Sequence, residues 1–342
     1  MDYFGEPALP GSSGTGTHAW PYVSSDFGQF DIAGFPKPHA FWYTSNWLQA
    51  IPSTEPSRPP LPARPVARIL ELPPPAEQSR ITTSFNLSAI TTAPYAQLYV
   101  DGTPLGIQPA AIDQFGAFTT MHWSVPPPRL PFANATLAAL DGAKKNATVL
   151  ATHTILAPKA WAHRLQLTID VPSASTGTGD ALLADGRDTA MIRAAVVDEL
   201  GTLVSDATDR VEWRVVSGAG RVVGVSNGDP KSHEQMKSTA VNAWGGLARG
   251  FVQVSQDCVT PGRKLLSSID VDASRSPTRV VPTAAECDTS KIVVAASSTR
   301  LGNARIAISV STDAAKDSPL AVAAATAKGL PGGFSYIESF VG

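Results

Sequence analysis

From Arg164 to Val171 the chain alternates without a break. Leu165, Leu167, Ile169 and Val171 fall on one side, and Arg164, Gln166, Thr168 and Asp170 on the other. A period of two belongs to a β-strand with one face in a core and the other turned outward. The same pattern returns in Val211, Trp213 and Val215 against Glu212 and Arg214, and in Val252 and Val254 against Phe251 and Gln253. Ile192, Ala194 and Val196 form a further strand that ends in a turn at Asp198 to Gly201. A series of half-buried strands separated by turn residues specifies stacked antiparallel sheets, a β-sandwich. The alternation fades over 258–290 and resumes at Ile292 to Ala295 and at Ile306, Ile308 and Val310. One sandwich is therefore expected over 161–342, with an insertion at 258–290 and a C-terminal tail.

A smaller sandwich is expected before it, over 81–160. Leu98 and Val100 alternate with Gln97 and Tyr99, and Asp101-Gly102 then supplies the turn of a tight hairpin. A second Asp-Gly pair, Asp141-Gly142, follows Leu137 to Leu140, and Val149 to Leu156 offers another strand. Upstream, residues 51–80 hold nine prolines and read as a stiff, extended linker, with room for one short strand at Val66 to Leu70. Residues 1–50 carry 11 of the chain's 25 aromatics, so this stretch needs an apolar partner. Within it Pro38 to Leu48 reads as a helix, with Pro38 suited to the first turn and Phe41 and Leu48 sharing a buried side.

Composition narrows the function classes. A net charge of −2 excludes a generally basic, nucleic-acid-coating surface. No apolar run reaches the ~18 residues of a membrane helix. The opening residues lack the basic start and apolar stretch of a signal peptide. Other features nevertheless read as secretory. Asn86, Asn134 and Asn146 each open an Asn-x-Ser/Thr sequon, a glycan acceptor in a secreted protein. Cys258 and Cys287 are either a disulfide closing the intervening loop, worth ~3 kcal/mol in an oxidising compartment, or two unrelated thiols. A secreted or cell-surface protein whose natural start lies further upstream is the expectation these features give.

Motifs for chemistry are sparse. Gly224-Val225-Ser226-Asn227-Gly228 has the spacing of a nucleophile elbow, which requires a strand-to-helix turn followed by an acid and a histidine. The one later histidine, His233, is too near in sequence, and a turn at Asn227-Gly228 is expected instead. The glycine-rich stretches Gly11 to Gly16 and Ser175 to Gly179 lack the Gly-Lys-Ser/Thr ending of a phosphate loop. No His-x-x-x-His or Cys-x-x-Cys pair exists, so no metal ligands and no cofactor are assigned. A loop cation at Asp185 and Asp188 is the one ion site worth testing. Asp2 and Glu6 are spaced so that a loop could bring them together, but nothing supplies the walls that would set their pKa values apart.

Longer stretches resemble a known family. Asp2-Tyr3-Phe4-Gly5-Glu6-Pro7, Trp20-Pro21, Ser24-Ser25-Asp26-Phe27-Gly28 and Phe30-Asp31-Ile32-Ala33-Gly34-Phe35-Pro36-Lys37-Pro38 resemble the last strand, loop and helix of the catalytic barrel of glycoside hydrolase family 2, in its β-galactosidase-like members. Gln97 to Gly102 with Leu105-Gly106, and Trp123-Ser124-Val125, resemble a sandwich placed after that barrel. Ala184-Asp185-Gly186-Arg187-Asp188, Val197-Asp198 with Gly201, Val225 to Pro230 and Gly246-Leu247-Ala248-Arg249 resemble the terminal sandwich. These matches run in family order over about residues 1–257.

The resemblance implies a mainly β chain: two immunoglobulin-like β-sandwiches preceded by the last strand and helix of a truncated (β/α)₈ barrel. It implies a parent that hydrolyses β-glycosides with retention, using two glutamates on earlier barrel strands. A barrel needs ~250 residues and about 50 are present here, so no catalytic residue is assigned and this chain alone is expected to be inactive. Asp2, Tyr3, Glu6, His18 and Trp20 are expected at the rim of the parent's sugar site. The barrel remnant, lacking its neighbours, is expected to fold back on the first sandwich or be poorly ordered. The expected partner is carbohydrate, through the parent, with no nucleic acid or membrane. The alternative is a stand-alone sandwich protein that binds carbohydrate or a partner without turnover, a reading that exposed aromatics on one sandwich would favour.

Overall fold

A computed structural model of the chain describes residues 21–24, 28–50, 65–70, 84–126, 132–156, 161–173, 178–255 and 290–311. The protein is mainly β: among these residues there are sixteen strands and one helix. Helix α1 (Pro38–Ala50) matches the stretch read from its proline start.

The first seven strands are β1 (Ala67–Ile69), β2 (Phe85–Thr91), β3 (Tyr95–Val100), β4 (Thr103–Pro109), β5 (Met121–Val125), β6 (Asn134–Leu140) and β7 (Val149–Leu156). They make a three-stranded sheet ordered β1-β2-β5 and a four-stranded sheet ordered β4-β3-β6-β7. One core joins both sheets, drawing Ile69, Leu87 and Trp123 from the first and Leu98, Val100 and Leu137 from the second. The Asp101-Gly102 turn behaves as its residue types require. Both residues have positive φ, 48° and 74°, the geometry of a two-residue hairpin whose twist matches the strands it joins.

The other nine strands are β8 (Arg164–Val171), β9 (Ala181–Leu183), β10 (Thr189–Val197), β11 (Arg210–Ser217), β12 (Gly220–Ser226), β13 (Ala240–Asn242), β14 (Leu247–Val254), β15 (Lys291–Ser298) and β16 (Gly302–Ser311). They form a four-stranded sheet, β12-β14-β10-β8, and a five-stranded sheet, β13-β11-β15-β16-β9. All described strand pairs are antiparallel except β16 with β9. Ile192, Ala194, Val196 and Val252 of one sheet meet Val211, Trp213, Ile292 and Ile308 of the other in a second core. Gly250 makes room there: a Cβ on it would stand 2.7 Å from the Trp213 ring. Each sandwich thus holds a core of its own, the condition for each to persist as a folded unit.

One strand departs from its sequence pattern in a way that matters. The alternation places Asp170 outward, on the side of Gln166 and Thr168. Asp170 is in fact fully buried. Ile192 pairs with Ile169 while Met191 pairs with Val171, so Asp170 is the extra residue of a β-bulge. The bulge pairs Val171 with Met191 and leaves Asp170 on the face turned away from the core, with Arg193 and Arg249.

The segment before the sandwiches also differs from expectation. Residues 21–24 and 28–37 lie against the second sandwich, while α1 lies against the first. Val23 donates its N–H to the Pro230 carbonyl at 2.7 Å, and Ala33 and Phe35 pack with Leu247. On α1, the Asn46 side chain accepts the Phe118 N–H at 2.8 Å and donates to its carbonyl at 3.0 Å. The Arg68 guanidinium of β1 sits 4.2 Å from the centre of the Phe41 ring.

Candidate functional site

The described residues assemble their densest chemistry where residues 28–37 meet the second sandwich. The core face of the sheet β12-β14-β10-β8 carries Ala190, Ile192, Ala194 and Val252. Its other face carries Arg193 on β10, Arg249 on β14 and Asp170 on β8. Arg193 and Arg249 are register partners on adjacent strands. Such a face is normally wet, yet Arg249 is 0% exposed here and Arg193 is buried.

Three contacts explain how so much charge stays inside. Asp170 Oδ2 accepts a hydrogen bond from Arg249 Nη1 at 2.9 Å, and its Oδ1 lies 3.4 Å from Arg193 Nη2. The Arg249 guanidinium also stacks 4.3 Å above the centre of the Phe35 ring. Burial pushes the Asp170 carboxyl above the usual aspartate range, and the positive charges of Arg193 and Arg249 pull against it. A buried carboxylate shared between two guanidiniums is a geometry in which removing one member is far more costly than keeping all three.

Asp31 forms the other half of the seam. Its Oδ1 accepts the N–H groups of Ala33 and Phe35, both at 2.9 Å, and so closes the loop that presents Phe35. Gly34 completes that loop at φ 79°. Burial raises the Asp31 carboxyl, with the two amides and the charges of Arg249 and Lys37 opposing. Gly228 of the second sandwich is required beneath it, because a Cβ there would overlap the Asp31 carboxylate. Ser226 Oγ reaches the Ile32 carbonyl at 3.5 Å, His233 Nε2 lies 2.9 Å from the Pro21 carbonyl, and Lys231 Nζ stands 4.7 Å from the centre of the Tyr22 ring. The arrangement clamps one surface to another.

The remaining candidates separate cleanly. Asp2, Tyr3, Glu6, His18, Trp20, Cys258 and Cys287 lie outside the described residues. The Gly-x-Ser-x-Gly stretch is no elbow: Ser226 ends strand β12, is buried, and leads into a bend at Gly228 with no helix after it. The carboxylates of Asp185 and Asp188 are taken up by backbone N–H groups of Arg187, Asp188, Leu183 and Thr189. Among the described residues no three His, Cys, Asp or Glu side chains gather to hold a metal, and no helix is long and apolar enough to cross a membrane. Asn86 on β2 and Asn146 in the β6–β7 loop are exposed, and Asn134 is half-buried at the start of β6.

Comparison with known proteins fits this arrangement. Residues 176–260 match the family model described as glycoside hydrolase family 2 C-terminal domain 5. The chain is 27% identical over 273 residues to the β-galactosidase BoGH2A of Bacteroides ovatus, covering 78% of this chain and 26% of that protein. Among solved structures, a β-glycosidase from Bacteroides vulgatus superposes with a TM-score of 0.62 at 17% identity, over 90% of this chain and 30% of that one. A glycosyl hydrolase family 2 member from Bacteroides cellulosilyticus superposes with a TM-score of 0.57 at 16% identity, over 86% of this chain and 33% of that one. The chain therefore spans between a quarter and a third of the length of these relatives. Residues 176–260 thus resemble a C-terminal domain of glycoside hydrolase family 2, the chain is similar in sequence to part of a β-galactosidase, and the solved structures share its fold.

Proposed function

We propose that this chain serves as the C-terminal accessory region of a secreted β-galactosidase-like glycoside hydrolase, with two immunoglobulin-like sandwiches that hold the end of a catalytic barrel in place. The observation that carries this reading is the seam itself. Residues 28–37, the stretch that resembles the barrel's last loop, meet Arg249 and Gly228 of the matched C-terminal domain, and Asp170, just before that domain, holds Arg249 in place. Helix α1 then hands the chain to the first sandwich through Asn46. In this reading Asp2, Tyr3, Glu6, His18 and Trp20 would line the parent's sugar rim, and rigid attachment of the loop that follows them would fix that rim in space. The parent would hydrolyse O-glycosyl bonds. This chain alone would not, since a barrel needs ~250 residues and the stretch that resembles one is about 50 long.

The test is turnover. The purified chain is incubated with a nitrophenyl β-galactoside, and the expected result is no nitrophenol release above buffer. Release that rises in proportion to protein concentration overturns the reading. Exposed Asn146 is the expected first site of glycan attachment when the chain is passed through a eukaryotic secretory pathway. A mass shift removed by Asn146→Gln checks it.

A further inference from the structure

Of the seven asparagines in the chain, Asn227 alone is followed by glycine. That pair carries a chemistry the accessory role does not use. Gly228 has no side chain to hinder its own backbone nitrogen, which can therefore attack Cγ of Asn227. A bond forms from that nitrogen to Cγ and the Cγ–Nδ2 bond breaks. Nδ2 leaves as ammonia, carrying the proton of the Gly228 N–H. Water then opens the cyclic imide at either carbonyl and leaves an aspartate or an isoaspartate. Asparagine counts among the thermolabile residues through reactions of this kind.

In the folded chain the docked segment closes over this pair. Val23 donates its N–H to the Pro230 carbonyl at 2.7 Å. Ser226 Oγ reaches the Ile32 carbonyl at 3.5 Å, and Gly228 lies beneath the Asp31 carboxylate. These contacts fall on both sides of Asn227, which is itself 4% exposed. Its amide is held at both atoms. Nδ2 donates to the Asn242 carbonyl at 2.8 Å, and Oδ1 accepts the Asp229 N–H at 3.3 Å. Ring closure must free Nδ2 from Asn242, and water must then reach the imide. Both steps call for a local opening in which the segment lifts.

We infer that Asn227-Gly228 is a deamidation site which residues 28–37 shield while docked, and that deamidation there bars them from docking again. The product carries a carboxylate at residue 227, next in the chain to the glycine under Asp31. Burying a second carboxylate beside that of Asp31 sets like charges against each other where water cannot screen them. The new side chain also turns only oxygens toward the Asn242 carbonyl, where an amide donor had been. An isoaspartate lengthens the main chain by one carbon and shifts Gly228 from its place under Asp31. The site thus records, irreversibly, that the segment has been away. This holds whatever the accessory role, since it needs only the contacts between the segment and the second sandwich.

Peptide mass mapping of the full chain, incubated at mildly alkaline pH in buffer and in urea, tests it. Conversion of Asn227 is expected to be at least about tenfold slower in buffer than in urea. Asp31→Ala removes the acceptor that closes the docked loop. Conversion in that variant is expected to rise several-fold in buffer while the Ile192 amide stays protected from exchange. Asn227→Asp stands in for the product. It is expected to lower protection of the Ala33 and Phe35 amides about tenfold or more, with Ile192 unchanged. Equal conversion in buffer and in urea, no gain in Asp31→Ala, or unaltered Ala33 and Phe35 protection in Asn227→Asp overturns the proposal.

Discussion

The two sandwiches receive residues 28–50 through chemically different seams. The first meets α1 with Arg68 over Phe41, and behind Arg68 stands His153, whose Nδ1 accepts the Ile69 N–H at 3.0 Å. That histidine is neutral: burial and the Arg68 charge lower its pKa from 6.5 to about 3. The second meets residues 28–37 with a carboxylate already shared between two guanidiniums. One seam keeps a histidine neutral beside a buried guanidinium, and the other joins opposite charges. The lesson is that burial alone does not set the character of an interface. What matters is whether each buried ionisable group finds its counter-charge before it leaves water.

The comparison breaks most visibly at Asp170. Asp170→Ala leaves two buried guanidiniums without their carboxylate and is expected to cost ~3–5 kcal/mol. Urea unfolding followed by amide exchange reads this: Ile192 in the second core becomes less protected while Leu98 in the first does not. Equal losses at both amides would mean that the two cores do not unfold separately.

Acid sharpens the contrast from the other side. His153 has a folded pKa below its unfolded value, so the stability it allows is fully present above pH 6.5. That stability is lost as pH falls from there toward the folded value of about 3. By pH 5 the first sandwich should have lost about 2 kcal/mol. Asp170 and Asp31 are shifted upward, so the folded second sandwich binds their protons at higher pH than the unfolded chain does, and these groups add stability on acidification. The first sandwich is therefore expected to melt earlier than the second at pH 5, and His153→Gln to remove most of that difference. A pH-independent gap between the two transitions would contradict this.

The smallest effect concerns the hairpin of the first sandwich. Gly102 has φ 74° with open space where a Cβ would go, so Gly102→Ala is strained in the backbone alone. About 1 kcal/mol is expected, confined to the first sandwich and seen as a lower unfolding midpoint there.

Much of this fold is legible in the sequence for a simple reason. Strands report themselves locally, through alternation, and so Ile192, Ala194, Val211, Trp213 and Val252 could be placed in a core from their neighbours alone. The Asp101-Gly102 turn is equally local, since few residue pairs accept two positive φ values. The seam is not local. Asp170 sits in the outward phase of its strand, and nothing in that alternation tells that the outer face is covered there. Arg249 and Phe35 each lie in stretches that resemble the family, but nothing in either stretch tells that one ring stacks on the other's guanidinium across more than two hundred residues. Gly228 reads as a turn glycine, and only the carboxylate above it shows that its lack of a side chain is needed for contact.

The central claim is that residues 28–37 are held on the second sandwich as part of its folded structure. Hydrogen exchange at the Ala33 and Phe35 amides tests it most directly, because both donate to Asp31 Oδ1 inside the seam. Protection comparable to that of Ile192 in the native chain, lost on Gly228→Ala while Ile192 stays protected, is the predicted result. Exchange of both amides at the rate of an unstructured peptide in the native chain would contradict the account.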